Sequence, residues 1–221
     1  MSTQPERVVI SGLDEAGKGC LVGPMVICKV QLEGLSTSNI NSELIKLGVK
    51  DSKLLSRDQR KRISSNQTRL GWSVEYEIVS VSEIDSYVYL TKLNRLLLEK
   101  YSSLISLTPS SNTETVYVDG FYHSSEKLKS ELASQVGSSR NLIVEHKADY
   151  RYPVVALASI FAKEKREELL DKIKLTQQVG SGYPSDPVLN KYLLKNKQAY
   201  LGKELENIRY SWKLKLFNDQ N

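Results

Sequence analysis

Histidine and cysteine are scarce in this chain of 221 residues: two of each, His123, His146, Cys20 and Cys28. Neither pair has the spacing of a zinc site. Two cysteines are too few for a disulfide scaffold, so the thiols fit a reducing compartment or serve as small buried side chains. Long apolar runs are missing as well, and no stretch approaches the length that crosses a bilayer. The opening Met1-Ser2-Thr3-Gln4-Pro5-Glu6 has no apolar core and does not read as a secretory signal, which leaves the cytoplasm as the expected location. There is no internal repeat and no long low-complexity tract. The nearest is the polar stretch Thr108–Thr115, a surface loop by composition, with a counterpart at Glu33–Asn41.

What remains is ordinary for a soluble globular chain, at 40% hydrophobic and 26% charged residues. The length suits one large domain, or one domain with a small appendage. Thirty-one Lys and Arg against 26 Asp and Glu leave a net charge of +5, which fits a polyanionic partner without requiring one.

Short β-branched runs bounded by turn residues predict strands over about 7–13, 22–32, 72–80, 115–119 and 141–146. Helices are predicted over about 41–48, 57–70, 83–107, 124–134, 153–178 and 187–196, with Ser82 as an N-cap and Pro153 in a first turn. Val154, Leu157, Ala158 and Phe161 recur at helical spacing, and the run Lys163 to Glu168 reads as a solvated face. Strands lead and helices alternate later, so the class is α/β with a mixed sheet. Residues 179–221 carry no strand signal and read as a small helical appendage to a core over 1–178.

Asp14-Glu15-Ala16-Gly17-Lys18-Gly19 directly follows the apolar run Val8–Leu13. Two adjacent acids at a strand end repel each other unless a cation sits between them. The glycines let a backbone approach a ligand and present its N–H groups. Asp119 repeats the pattern after Val116-Tyr117-Val118, beside Gly120. Asp149 lies between a predicted strand and a predicted helix. Taken singly, each has a plain alternative: a solvent-facing acid pair, an Asp-Gly turn, an acid at a helix N-terminus. Converging on one sheet edge, they would make an all-carboxylate cluster that selects hard cations, Mg2+ or Mn2+. Such a site suits phosphodiester cleavage.

Five blocks in order resemble type 2 ribonuclease H (ribonuclease HII) in its archaeal and eukaryotic form. They are G-L-D-E-A-G-K-G-C-L-V-G-P (12–24), V-K-D-S-K-L-L (49–55), Y-V-D-G (117–120), K-A-D…Y-P-V-V-A-L-A-S-I-F-A-K (147–163) and G-S-G-Y-P-S-D-P (180–187). The R-Y-S-W-K at 209–213 is similar to the archaeal and eukaryotic variety. The resemblance implies a ribonuclease H-like five-stranded mixed sheet flanked by helices, with a C-terminal helical part. It implies cleavage of the RNA strand of RNA/DNA hybrids and nicking 5′ of ribonucleotides embedded in duplex DNA, leaving 3′-hydroxyl and 5′-phosphate ends. Ribonucleotide removal and RNA primer removal are the corresponding roles. The family's four metal-binding acids fall on Asp14, Glu15, Asp119 and Asp149. Its glycine motif falls on Gly17-Lys18-Gly19, where Lys18 replaces the usual Arg, keeping charge but losing the planar fork. Its junction-sensing tyrosine falls on Tyr183. Lys53, in the Asp51-Ser52-Lys53 motif, and Lys147, Lys163 and Arg166 are candidates for phosphate contact. The chain is expected to act as a monomer. A sliding-clamp segment at Trp212–Phe217 is a poor match and reads better as an apolar helix side.

Three other readings carry their own discriminators. A type 3 ribonuclease H handles single ribonucleotides poorly and carries a long extra N-terminal domain. A non-catalytic nucleic-acid binding subunit has no use for clustered negative charge facing phosphates. A small-molecule phosphohydrolase needs a closed pocket and no basic surface.

Overall fold

The computed structural model describes residues 7–90, 93–108, 114–137, 140–173 and 179–212. Five strands form one mixed sheet in the order β3-β2-β1-β4-β5: β1 Val8–Ala16, β2 Met25–Gly34, β3 Ser73–Val79, β4 Glu114–Asp119 and β5 Asn141–Glu145. β1, β2 and β3 pair antiparallel, while β4 and β5 continue in parallel from β1. The expected ribonuclease H-like architecture is present.

The helices are α1 Thr37–Lys46, α2 Arg57–Ser64, α3 Gln67–Leu70, α4 Val81–Tyr89, α5 Leu93–Ser106, α6 Ser125–Val136, α7 Ala148–Arg151 and α8 Pro153–Asp171. Two more, Pro187–Lys195 and Lys197–Leu201, follow. One sheet face packs on α8, backed by α1 and α2; the core there includes Ile10, Val26, Val30, Leu157 and Phe161. The other face packs on α4, α5 and α6 through Leu13, Ile27, Leu97, Val118 and Leu128. A third cluster joins Leu21 and Val22 to Val179, Leu189, Leu193 and Ile208, so the C-terminal helices dock on the loop after β1.

Helix α8 is buried on all sides from Val154 to Ala162, as a central helix must be. Gly12 in β1 permits its approach: a Cβ there would stand 2.3 Å from Val154 O. Any side chain at position 12 would push α8, and with it α7, off the sheet.

Several boundaries differ from expectation, each for a local reason. β1 runs through Asp14 and Glu15 to Ala16, so these acids lie within the strand rather than after it. β2 starts only at Met25, because Gly23 turns with φ +80° and Pro24 follows. α1 begins at Thr37 because Ser36 caps it, accepting from Asn39 N. Ser80, not Ser82, caps α4. The Lys163–Glu168 run is not a solvated face: Glu164 and Glu167 pair with Arg60, and Arg166 is buried. Residues 174–178 of the predicted 153–178 helix, most of the Thr108–Thr115 loop, and Lys213–Phe217 lie outside the described residues.

The amino-terminal end of β4 buries a charge cluster. Glu114 accepts from Ser11 Oγ at 2.7 Å and Gln31 Nε2 at 3.1 Å, and faces Lys29 at 3.4 Å and Arg140 at 3.3 Å. Burial pulls the Lys29 pKa down, and Glu114 opposes that. Removing one member of a buried ion cluster strands its partners in low dielectric. Glu114→Ala is expected to cost about 3–5 kcal/mol of unfolding free energy. Denaturant titration followed by circular dichroism checks this, and a loss below 1 kcal/mol would contradict it.

Candidate active site

The parallel pairing of β1 with β4 ends at Leu13↔Val118, after which β1 continues through Asp14 and Glu15 against β2 alone. Asp119 closes β4 on the vacated side. Successive strand residues face opposite sides of a sheet. Asp14 accordingly meets Ser159 of α8, and Glu15 Oε2 accepts from the Tyr101 hydroxyl of α5. Ser159 is itself bonded to Ser52 at 2.8 Å. Asp14 Oδ1 also accepts from Glu15 N at 2.7 Å.

Asp119 Oδ1 accepts from Ala148 N at 2.7 Å, which ties the end of β4 to the first residue of α7. Asp149 follows, buried in the first turn of that helix. Lys147 enters the turn with φ 56°, so the chain reverses sharply from β5 to bring Asp149 back to the sheet end. This four-residue helix was not visible in the sequence.

Asp119 links the acids: it interacts with Asp14, Glu15 and Asp149. Burial pushes Asp14 well above the usual carboxylate range, and Glu15 and Asp119 add to the rise. Burial, then Glu15 and Asp149, push Asp119 up to about 6 against the Ala148 hydrogen bond. Asp149 rises through burial and Asp51, with Lys53 and Lys163 pulling the other way. No three of the described His, Cys, Asp and Glu side chains draw close enough to ligate a single ion as placed. The site is a convergence of negative charge rather than a closed ligand cage.

A groove of about 890 Å³ opens beside the acids at Ala16 and Gly17 and ends at Gly180, Ser181 and Tyr183. Lys53, Arg57, Arg60, Lys163 and Arg166 line it. Arg57 pairs with Glu167 and Arg60 with Glu164, at 2.8 and 2.7 Å. Lys53 and Lys163 stand outside those pairs. Lys53 projects from a single 3-10 turn, Ser52–Leu54, capped by Asp51, and its Nζ stands 6.0 Å from the Tyr150 ring centroid. Burial and the neighbouring Lys53 lower the Lys163 pKa. Asp14 and Asp51 oppose that shift, so Lys163 faces carboxylates as well as Lys53.

Lys18 turns toward the acids: its Nζ lies 3.8 Å from Glu15 Oε1 and 5.4 Å from the Phe121 centroid. Tyr183 is 43% exposed, with its Cε1 3.9 Å from the position of a Cβ on Gly19. Arg166 lines the groove with its guanidinium engaged by backbone, Nη2 donating to Val22 O at 2.9 Å and Nε to Pro24 O at 3.1 Å. Tyr101 and Ser159 were missed in the sequence. A buried hydroxyl must find a partner, so Ser159, the one hydroxyl in the buried run 154–162, carried the readable signal.

The model of the ribonuclease HII family matches residues 11–215. The chain belongs to the ribonuclease HII family. It is a ribonuclease H, a hydrolase of the family that cleaves RNA in RNA/DNA hybrids. The ribonuclease HII of Methanocaldococcus jannaschii is 36% identical over 199 residues, covering 84% of each chain. Among solved structures, the Archaeoglobus fulgidus ribonuclease HII, determined in complex with PCNA, superposes with TM-score 0.79 at 34% identity, covering 94% of this chain and 96% of that one. The Pyrococcus horikoshii ribonuclease H2 gives TM-score 0.79 at 30% identity, covering 93% and 94%. No helix among the described residues is long and apolar enough to cross a membrane.

The raised Asp119 pKa has a consequence for stability. Unfolded, its pKa is close to 4; folded, about 6. The folded state is therefore penalised as pH rises from 4 to 6, and fully so above 6. With a chelator present, Asp119→Asn is expected to be more stable than wild type by about 1–3 kcal/mol at pH 7.5, and the gain is expected to vanish near pH 4. Thermal melts across pH measure this, and a destabilised variant at pH 7.5 would refute it.

Proposed function

We propose that this ribonuclease HII nicks 5′ of ribonucleotides, both within RNA/DNA hybrids and at single ribonucleotides in duplex DNA, leaving 3′-hydroxyl and 5′-phosphate ends. Ribonucleotide removal and RNA primer removal are the roles such cleavage serves. The convergence of Asp14, Glu15, Asp119 and Asp149 beside a basic groove carries the reading.

The donor set suits Mg2+ or Mn2+, because every donor is a hard carboxylate oxygen. Asp14 and Asp119 resist ionising next to their neighbours, and positive charge relieves that strain. The four acids would hold the ions. The chemistry that divalent ions would supply there is activation of a water and stabilisation of a leaving oxygen.

The chain's own residues bind and orient. Lys53 and Lys163 take the scissile strand's phosphates, an electrostatic grip that weakens with salt. The Gly17-Lys18-Gly19 backbone contacts the ribose 2′-hydroxyl, the group that separates RNA from DNA. Tyr183 lies against the sugar that follows, at the ribose–deoxyribose junction. Carboxylates committed to cations are poor bases, so the proton of the attacking water passes to solvent or to a phosphate oxygen. On this reading residues 1–178 are the catalytic core, 179–221 carry the junction sensor, and the enzyme works as a cytoplasmic monomer. A sliding-clamp contact is a second reading, favoured by the complex in which the A. fulgidus relative was solved.

The deciding assay incubates a duplex containing one ribonucleotide, beside an all-DNA duplex, with and without Mg2+ or Mn2+. Metal-dependent nicking of the first alone is expected. Asp119→Asn is expected to lose more than about 10²-fold in turnover, beyond the loss typical of an outer-shell partner. Retained activity would remove Asp119 from the metal site. Tyr183→Ala is expected to slow cleavage at a single ribonucleotide more than cleavage within long RNA. Equal losses on the two substrates would count against junction sensing.

A further inference from the structure

Arg209 is fully buried, yet among the described residues its guanidinium meets no carboxylate. It meets backbone carbonyls instead. Nη1 donates to Gly17 O at 2.7 Å and to Lys18 O at 3.1 Å, while Nε and Nη2 donate to Gly23 O at 2.9 and 2.8 Å. The same segment adds Arg209 N to Leu21 O at 2.8 Å and Trp212 Nε1 to Cys20 O at 2.7 Å. Arg166 takes the carbonyls of Val22 and Pro24. Gly17 turns with φ +84°, and a Cβ there would lie 2.2 Å from Arg166 Nε. The underside of the glycine loop is therefore fastened almost carbonyl by carbonyl to two buried guanidinium groups and an indole.

A trans peptide points its C=O and its N–H in opposite directions. Drawing the Gly17 and Lys18 carbonyls inward to one nitrogen turns the Lys18 and Gly19 amides outward, side by side. Neither amide donates to a protein acceptor among the described residues. Adjacent outward N–H groups form a cradle for an anion or a hydroxyl oxygen. The cation directly behind those peptides, which bonds no carboxylate among the described residues but feels Asp85, strengthens their pull on it.

We propose that Arg209 is a positioning residue for ribose recognition: its guanidinium sets the glycine loop so that the Lys18 and Gly19 amides face the ribose 2′-hydroxyl and the adjoining phosphate. The proposal rests on the reading that the Gly17-Lys18-Gly19 backbone contacts that ribose. Trp212 is a weaker second brace on the same loop.

The test measures affinity by fluorescence anisotropy, with a chelator present, for a duplex carrying one ribonucleotide and for the all-DNA duplex of the same sequence. The readout is the ratio of the two affinities, which a purely structural role leaves unchanged. Arg209→Lys keeps the charge but loses the fork. It is expected to melt as a folded protein and to lose about tenfold in the ratio, mostly through the ribonucleotide duplex. Trp212→Phe, which removes one hydrogen bond, is expected to lose about threefold. Gly19→Ala, which places a methyl between the loop and Tyr183, tests the underlying reading directly and is expected to lose the ratio. If Gly19→Ala loses the ratio while folded Arg209→Lys retains it, the positioning role is overturned and the loop reading stands. If Gly19→Ala keeps the ratio, or wild type shows none, the loop reading falls and the proposal falls with it. Should Arg209→Lys fail to fold, Trp212→Phe decides, and an unchanged ratio there overturns the proposal.

Discussion

Carboxylates crowded at the end of one sheet repel one another, and much of the structure serves to hold them there. Asp14 and Glu15 occupy neighbouring positions of β1 and are restrained from opposite faces, by Ser159 on α8 and Tyr101 on α5. Asp119 is restrained by the amide of Ala148, and that bond also fixes the turn carrying Asp149. The packing behind these bonds is tight: position 12 admits only a hydrogen where α8 crosses β1. Destabilising charge is thus concentrated at one edge and offset by two well-filled cores.

Positive charge is sorted as strictly. Arg57 and Arg60 are matched with acids of α8 and serve the fold, while Arg166 and Arg209 bind the carbonyls of the glycine loop. Lys53 and Lys163 are left to the groove. A net charge of +5 says nothing of this division; only the pairings separate structural cations from those left facing the groove.

Much of this was legible in the chain. The five strands followed from β-branched runs; Asp14, Glu15 and Asp119 stood out because they close apolar runs near a glycine, and Asp149 because it lies between a strand and a helix. Other features depend on contacts that no local pattern encodes. The extension of β1 past Leu13 depends on its pairing with β2, and the start of β2 on the Gly23-Pro24 turn. The Lys163–Glu168 run looked solvated because its partner Arg60 lies 104 residues away from Glu164. The burial of Arg209 against a carbonyl 186 positions earlier likewise leaves no trace in the residues around it. Helix α7, of four residues, is too short for periodicity to register. Electrostatics links Asp14 to Glu15 and Asp119, and Asp119 to Glu15 and Asp149, a proximity that no local pattern encodes.

Gly17 and the guanidinium beneath it are separated by 192 positions. A ribosome extends a chain from its amino terminus, so the glycine loop emerges 192 residues before its brace. Throughout that interval Asp14, Glu15 and the loop exist without the contact that holds the loop's carbonyls. A nascent chain thus lacks the braced form of this loop until Arg209 has left the ribosome.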